Sequence, residues 1–175
     1  MKKIFIGVIL FVFTIMLTGC KNKIPFNAKI YGTYNNYLKQ EFIDNNPLFE
    51  PRWDEPTEEN QGIPSDRTFI VNDKTTFDSM FKENTLEVDF SNQMVLVYLY
   101  KYVHTNIELK LKKLNYQSTT TETNGLVTSN STLDIEFSTK NTKLKDAQSP
   151  STHYAIVVMK KVVVDTCTFK HLGLS

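Results

Sequence analysis

The chain has 175 residues, with 20 lysine or arginine side chains, 19 aspartate or glutamate side chains and a formal net charge of +1. This balance, which no basic block interrupts, excludes the concentrated positive surface that nucleic-acid binding needs. Two cysteines exclude a framework of several disulfides. A chain of this length suits one domain.

The first residues have the composition of a secretory signal. Lys2 and Lys3 give a positive start, and an apolar run without charges follows from Ile4 to Leu17. Because a permanent membrane helix needs about 20 apolar residues, this shorter run predicts a signal peptide over residues 1–19. Without these residues the chain carries 18 basic and 19 acidic side chains, a net charge of −1.

The signal ends in Leu17, Thr18, Gly19 and Cys20. This ending resembles the bacterial lipobox, in which the cysteine thiol is lipidated and the chain is cleaved before it. The resemblance implies acyl chains such as palmitate on Cys20, each buried methylene adding about 0.8 kcal/mol to membrane binding. We therefore expect an extracytoplasmic protein, anchored to the outer face of the cytoplasmic membrane or to an outer membrane if the cell has one.

Residues 20–65 are rich in asparagine, proline and acidic residues, which predicts a membrane-proximal tether that is partly ordered. A strand over 28–31 and a helical turn over 37–43 are its predicted elements. Aromatic residues crowd the segment and either pack on the domain or form a partner-binding patch. They are Tyr31, Tyr34, Tyr37, Phe42, Phe49 and Trp53.

Residues 66–175 show sharper patterns. Residues 67–71 predict a strand, and Asp73 is placed to cap a short helix. Phe77, Met80 and Phe81 share one face of that helix. The remaining predicted strands are 94–100 and 154–159, both continuous apolar runs typical of central strands, and 162–169.

The middle of the domain alternates between apolar and polar residues over 107–112 and 132–137, as half-exposed antiparallel strands do. Pairing Lys110 with Glu136 also places Leu109 opposite Phe137 and Lys112 opposite Asp134. The connection, residues 117–131, is predicted to be a long loop. The order of elements predicts a mainly β domain, either an antiparallel sandwich or a partly open barrel, with one short helix.

Three segments taken in order carry a family resemblance: residues 77–81, 88–97 and 154–160. A short helix ending in phenylalanine, an Asp-Phe turn into an apolar strand and a late strand ending in lysine are similar to the C-terminal domain of the protease-complex subunit PrcB family. The resemblance covers residues 66–169. It implies an exported β-rich domain, often lipidated, that supports another protein such as a surface protease. It implies no catalytic residue.

Chemistry-bearing residues are few. Cys167 lies in an apolar, β-branched run, where a small packed hydrophobe is favoured over a nucleophile or a covalent link to a partner. His104, His153 and His171 lack metal-ligand spacing, although His104 and His153 flank predicted strands. The acidic cluster of Asp54, Glu55, Glu58 and Glu59 lacks a calcium-loop pattern and indicates a solvated segment rather than a weak divalent-ion site.

These patterns predict no cofactor, no metal and no catalytic residue, with Cys20 as the one assigned site. The favoured function is a lipid-anchored, non-catalytic accessory module that binds another envelope or secreted protein, for which a protease is one candidate. Two alternatives stay open: a hydrolase that uses Cys167 with a histidine, and a lipoprotein that binds a small ligand.

Overall fold

The computed structural model describes residues 27–103, 108–123, 126–140 and 150–172. The predicted signal peptide and Cys20 lie outside these residues. The α-helices and strands within them are β1 (Lys29–Gly32), α1 (Gln40–Asp44), β2 (Asp66–Val71), α2 (Lys74–Met80), β3 (Gln93–Tyr102), β4 (Glu108–Thr123), β5 (Leu126–Lys140), β6 (Ser151–Lys160) and β7 (Thr166–Leu172). None of the described helices has the length and apolar character to cross a membrane.

The strands form two separate sheets. The four-stranded sheet has the order β1-β6-β3-β2, and every neighbouring pair is antiparallel. The three-stranded sheet has the order β4-β5-β7, in which β4 and β5 are antiparallel while β5 and β7 are parallel. The sheets do not close into a barrel, and α2 is the one described helix of seven or more residues. The predicted mainly β fold with one short helix is confirmed.

The central strands β3 and β6 are buried on both faces, as their continuous apolar runs predicted. Alternate residues of β3, namely Val95, Val97 and Leu99, face a core on the side of α2. The intervening residues face the three-stranded sheet. Full burial of side chains of this size stabilises the fold by about 1.5–3 kcal/mol each.

The core between the two sheets has contributions from four strands. Its buried members are Met94, Leu96, Tyr98 and Tyr100 of β3, Ala155, Val157 and Met159 of β6, Leu133, Ile135 and Phe137 of β5, and Phe169 of β7. Aromatic rings stack across it, with the centroids of Tyr98 and Phe169 lying 4.8 Å apart. This inter-sheet core fixes which face of β5 and β7 points inward.

The core on the other face contains α2 and part of the N-terminal segment. The Asp73 carboxylate accepts a hydrogen bond from the Thr76 N–H at 2.8 Å, which confirms the predicted cap. Phe77, Met80 and Phe81 are buried on the predicted helix face.

The described part of the predicted tether, residues 27–65, packs on the same sheet. β1 pairs with β6 at the edge, and the Tyr37 N–H donates to the Tyr154 hydroxyl at 2.8 Å. Leu38 is buried, and Tyr37 and Phe42 lie against the core as the packing interpretation expected. Tyr34 differs from them, because 75% of its surface is exposed.

Two predictions about β4 and β5 are wrong. Leu111, not Leu109, lies opposite Phe137, and Lys113, not Lys110, lies opposite Glu136. A bulge at Lys112 absorbs one extra residue. The predicted loop over 117–131 is instead strand over almost its whole length.

The last predicted strand is also displaced. β7 begins at Thr166 rather than at Val162. Residues 162–165 connect β6 in one sheet to β7 in the other and lie outside both strands. At the end of this connection the Asp165 N–H donates to the carbonyl of Ser131 on β5 at 3.0 Å.

Candidate functional site

Cys167 lies on β7 opposite Leu133, half-buried against the inter-sheet core. Burial, and then the charge of Asp134, raise the pKa of its thiol to about 12. His171 is four residues further along the same strand, a separation of roughly 13 Å at 3.3 Å per residue. A base within hydrogen-bond reach is what a cysteine nucleophile requires, so this placement favours a protonated, packed thiol.

His153 and His171 approach the same tyrosines at one end of the inter-sheet core. The His171 ring stacks on Phe137 with 4.7 Å between centroids and lies 5.6 Å from the ring of Tyr100. His153 lies 6.0 Å from the Tyr100 ring, and its Nε2 is 3.1 Å from the Ser151 hydroxyl. Their surroundings are therefore largely aromatic.

Both ring nitrogens of His171 are buried and lack a hydrogen-bond partner among the described residues. Burial, and then the nearby His153, lower the pKa of His171 to about 4. The imidazole is consequently neutral at pH 7. His104, the third histidine, lies outside the described residues.

The acidic residues 54–59 do not converge. Asp54 accepts two hydrogen bonds from the Lys101 ammonium, at 2.6 and 2.7 Å, whereas Glu55, Glu58 and Glu59 are exposed. Over the described ranges, three or more His, Cys, Asp or Glu side chains nowhere gather in a way that would hold a metal ion.

A cavity of about 520 Å³ lies between α2 and the segment that follows it. Its floor includes Phe77, Phe81 and Phe90, and three lysines and three acids surround it. Lys74 pairs with Asp78 at 2.7 Å, and the other two lysines donate to neighbouring oxygens. The rim carries equal numbers of lysines and acids, so it favours neither sign of ligand charge.

The outer half of the β4–β5 hairpin, residues 117–123 and 126–131, is exposed over most of its described length, with Ser131 buried at its base. We call it the hairpin arm. β7 pairs with β5 only from Thr132 onward, so the arm extends past the third strand of its sheet. In the arm β4 pairs with β5 alone among the described residues. A two-stranded ribbon is marginally stable by itself in water, which makes this extension costly unless it contacts something.

One face of the arm is rich in hydroxyl and amide groups. This face continues the outward face of β5 and lines a cleft of about 470 Å³. None of the residues that line the cleft has a charged side chain. These residues are Gln117, Thr119, Thr121, Thr128, Asn130, Thr132 and Thr166. At the end of the arm Leu126 and Val127 are 71% and 62% exposed. The arm thus presents hydrogen-bonding groups with an apolar end.

Sequence reasoning missed the arm because a run rich in threonine, serine and asparagine was interpreted as a loop. The signal that identifies it is Asn124-Gly125, the dipeptide most typical of a two-residue hairpin connection. Threonine is also enriched in strands, so the composition is compatible with β-structure.

Comparisons of this chain with protein families, with curated proteins and with solved structures found no match. The resemblance to the PrcB family therefore stays a prediction. The fold, the arm and the placement of Cys167 are the observations on which a function can be argued.

Proposed function

We propose that this protein is a lipid-anchored, non-catalytic binding module of the cell envelope. In this role Cys20 holds it at the membrane, and the hairpin arm contacts another envelope or secreted protein that it assists or stabilises. A protease is the partner that the family resemblance suggests.

The observation that carries the proposal is the exposure of the arm. Its strands are held at their base, where the Asp165 carboxylate accepts hydrogen bonds from the Ser131 N–H at 2.7 Å and from its hydroxyl at 2.6 Å. Beyond this point the described residues of the arm are exposed on both faces, apart from the half-buried Ser118. A strand pair that is fixed at its base and apolar at its end suits protein recognition. A binding partner would bury the exposed apolar side chains and form hydrogen bonds with the exposed polar groups.

The Cys167 hydrolase is the less favoured alternative. The raised pKa of the thiol and its distance from His171 along β7 both oppose formation of a thiolate–imidazolium pair. A small-ligand lipoprotein is supported only by open clefts, among them the charge-balanced cavity beside α2 and the uncharged cleft of the arm.

The test is a crosslinked pulldown of the lipidated protein from its own cells, quantified by mass spectrometry. The decisive variant replaces residues 119–130 with Asn-Gly, which keeps Ser131 and its hydrogen bonds to Asp165. The matched control is Tyr34→Ser, which removes an exposed aromatic side chain outside the arm. We expect one envelope protein to be enriched with the wild type and the control, and lost with the shortened arm.

Equal enrichment with and without the arm would reject the arm as the binding surface. No enrichment with the wild type would reject the accessory role itself. The anchor is tested separately by Cys20→Ala, which we expect to move the protein from the membrane fraction to the soluble fraction.

A further inference from the structure

The outer edge of β4 changes character along its length. Its first half contains Lys110, Lys112 and Lys113 and the bulge. Lysines and bulges at a sheet edge both discourage pairing with another strand. The start of β4, at Glu108 and Leu109, also lies beside β1. The second half, residues 117–123, contains no lysine, proline or glycine, and its pairing with β5 shows no bulge.

An unprotected edge of seven residues offers a row of N–H and C=O groups to another strand. Among the described residues nothing covers it, because β5 occupies only the other side of β4. The edge therefore has the geometry of a strand-addition site.

The sequence of this edge, Gln-Ser-Thr-Thr-Thr-Glu-Thr, is complementary to itself in the antiparallel direction. With a twofold axis through Thr120, that residue lies opposite its own copy and Thr119 lies opposite Thr121. The same register sets Ser118 against the single charged position, Glu122. Threonine pairs across strands are favourable, and no like charges meet.

We propose that two copies of this protein associate by pairing the 117–123 edges of their arms, antiparallel, with Thr120 on the twofold axis. The two arms then form one four-stranded ribbon, and the bodies lie at its opposite ends. The hydroxyl-rich faces of both arms become continuous, so dimerisation doubles the surface used in the proposed function. The dimer itself requires no partner protein, which allows the two proposals to fail independently.

The overlap is about 24 Å long at 3.4 Å per residue, and it buries less area than a standard interface of about 1,200–2,000 Å². The dimer is accordingly a concentration-dependent species rather than an obligate one. Confinement of anchored copies to a membrane favours it.

The first experiment is disulfide crosslinking of the full lipidated protein in its membrane. Thr120→Cys places two thiols across an antiparallel pair, where the Cα separation of about 4.5–5.5 Å permits a disulfide. Gln117→Cys is the matched control, because its two copies lie six residues apart in this register. We expect mild oxidation to link Thr120→Cys into a homodimer at least about tenfold faster than Gln117→Cys.

Equal rates for the two variants, or faster linking of Gln117→Cys, would overturn the register and with it the proposal. A mixed adduct of Thr120→Cys with a different protein, without homodimer, would assign the edge to that protein and would also overturn it.

The second experiment is native mass spectrometry of the full lipoprotein extracted in detergent. Thr120→Lys sets two positive charges opposite each other, and we expect the association constant to fall about fivefold. Thr128→Lys adds the same charge on β5, away from the edge, and is expected to leave the dimer unchanged. A purely monomeric wild type at every concentration, or identical behaviour of both lysine variants, would contradict self-pairing.

Discussion

The ammonium group of Lys101 lies 2.6 and 2.7 Å from the two carboxylate oxygens of Asp54. Lys101 is on β3, and Asp54 belongs to the irregular segment before β2, so this ion pair fastens that segment to the central sheet. Each side chain is only 18% exposed. The Glu50 N–H also donates to Asp54, at 2.6 Å.

Asp54→Asn should destabilise the protein by about 1 kcal/mol, because the amide keeps its size but loses the charge that faces Lys101. Urea unfolding measures this change. The control is Lys74→Met, which breaks an exposed ion pair with Asp78 and should change stability by less than about 0.5 kcal/mol. Equal losses of stability in the two variants would show that the Asp54–Lys101 ion pair stabilises the fold no more than the exposed Lys74–Asp78 pair does.

The same carboxylate predicts a pH dependence. Burial raises the pKa of Asp54, but hydrogen bonds from the Glu50 N–H and from Lys101 outweigh it and hold the pKa below its ordinary value of 3.8. The stabilisation is present above that value and is lost as the pH falls through the lowered pKa. Asp54→Asn should therefore be less sensitive to acid below about pH 4 than the wild type.

His171 predicts a second pH dependence, at less acidic pH. The pKa of His171 is about 4 in the folded protein, compared with its ordinary value of 6.5. Between these two pH values the unfolded chain binds a proton at His171 and the native state does not. Stability should decline as the pH falls from 6.5 toward 4 and then level off. His171→Phe, which can still stack on Phe137, should remove this decline. Denaturant unfolding at several pH values measures it, and an unchanged slope would refute the burial of a neutral imidazole.

The same variant should gain about 1 kcal/mol of stability at pH 7, since two buried ring nitrogens without partners among the described residues are replaced by carbon. His171→Asn is the contrasting variant: it keeps polar atoms, loses the ring contact with Phe137 and should be destabilised. A loss of stability in His171→Phe would mean that the imidazole nitrogens are satisfied in solution.

Cys167 should react slowly with a thiol reagent at pH 8. A pKa of about 12 leaves very little thiolate, so we expect labelling at least about a hundredfold slower in the folded protein than in urea. The measurement uses Cys20→Ser, in which Cys167 is the single thiol. Val163→Cys in a Cys167→Ala background is the exposed control. If Cys167 were labelled at the same rate as the control cysteine at position 163, the result would favour the hydrolase alternative.

The bulge in β4 predicts the outcome of two deletions. Lys112 is the extra residue between the pairs Leu111–Phe137 and Lys113–Glu136, so its deletion keeps every inward residue inward. Deletion of Asn115 instead moves Tyr116 from its place opposite Leu133 to the outer face. We expect the first deletion to cost little and the second to cost about 2 kcal/mol or more in urea unfolding. Similar costs would contradict the observed register.

The sequence predicted those elements whose signal is local. The apolar runs of β3 and β6 require burial on both faces, and the cap at Asp73 depends on residues three positions apart. The placement of Phe77, Met80 and Phe81 follows from helical spacing alone. The mainly β fold with one helix followed from these patterns.

The register between β4 and β5 and the connection from β6 to β7 could not be predicted from the sequence. The alternation in β4 is compatible with several offsets, and only contact of Phe137 and Ile135 with the four-stranded sheet selects Leu111 and Leu114 as their neighbours. A bulge then became necessary at Lys112. Nothing local distinguishes residues 162–165 from a strand either, because their role is to cross between sheets.

By itself the sequence determined the lipobox resemblance at Leu17–Cys20, the balanced charge and the strands whose faces must be buried, since each depends on composition or on near neighbours. The tertiary structure decided that Cys167 is a packed thiol distant from His171. It also decided that residues 117–123 and 126–131 extend as a largely exposed arm, whose 117–123 edge no other described residue covers. Burial, strand pairing and the exposure of an edge depend on residues far apart in the chain, which is the physical reason that only the folded protein could reveal them.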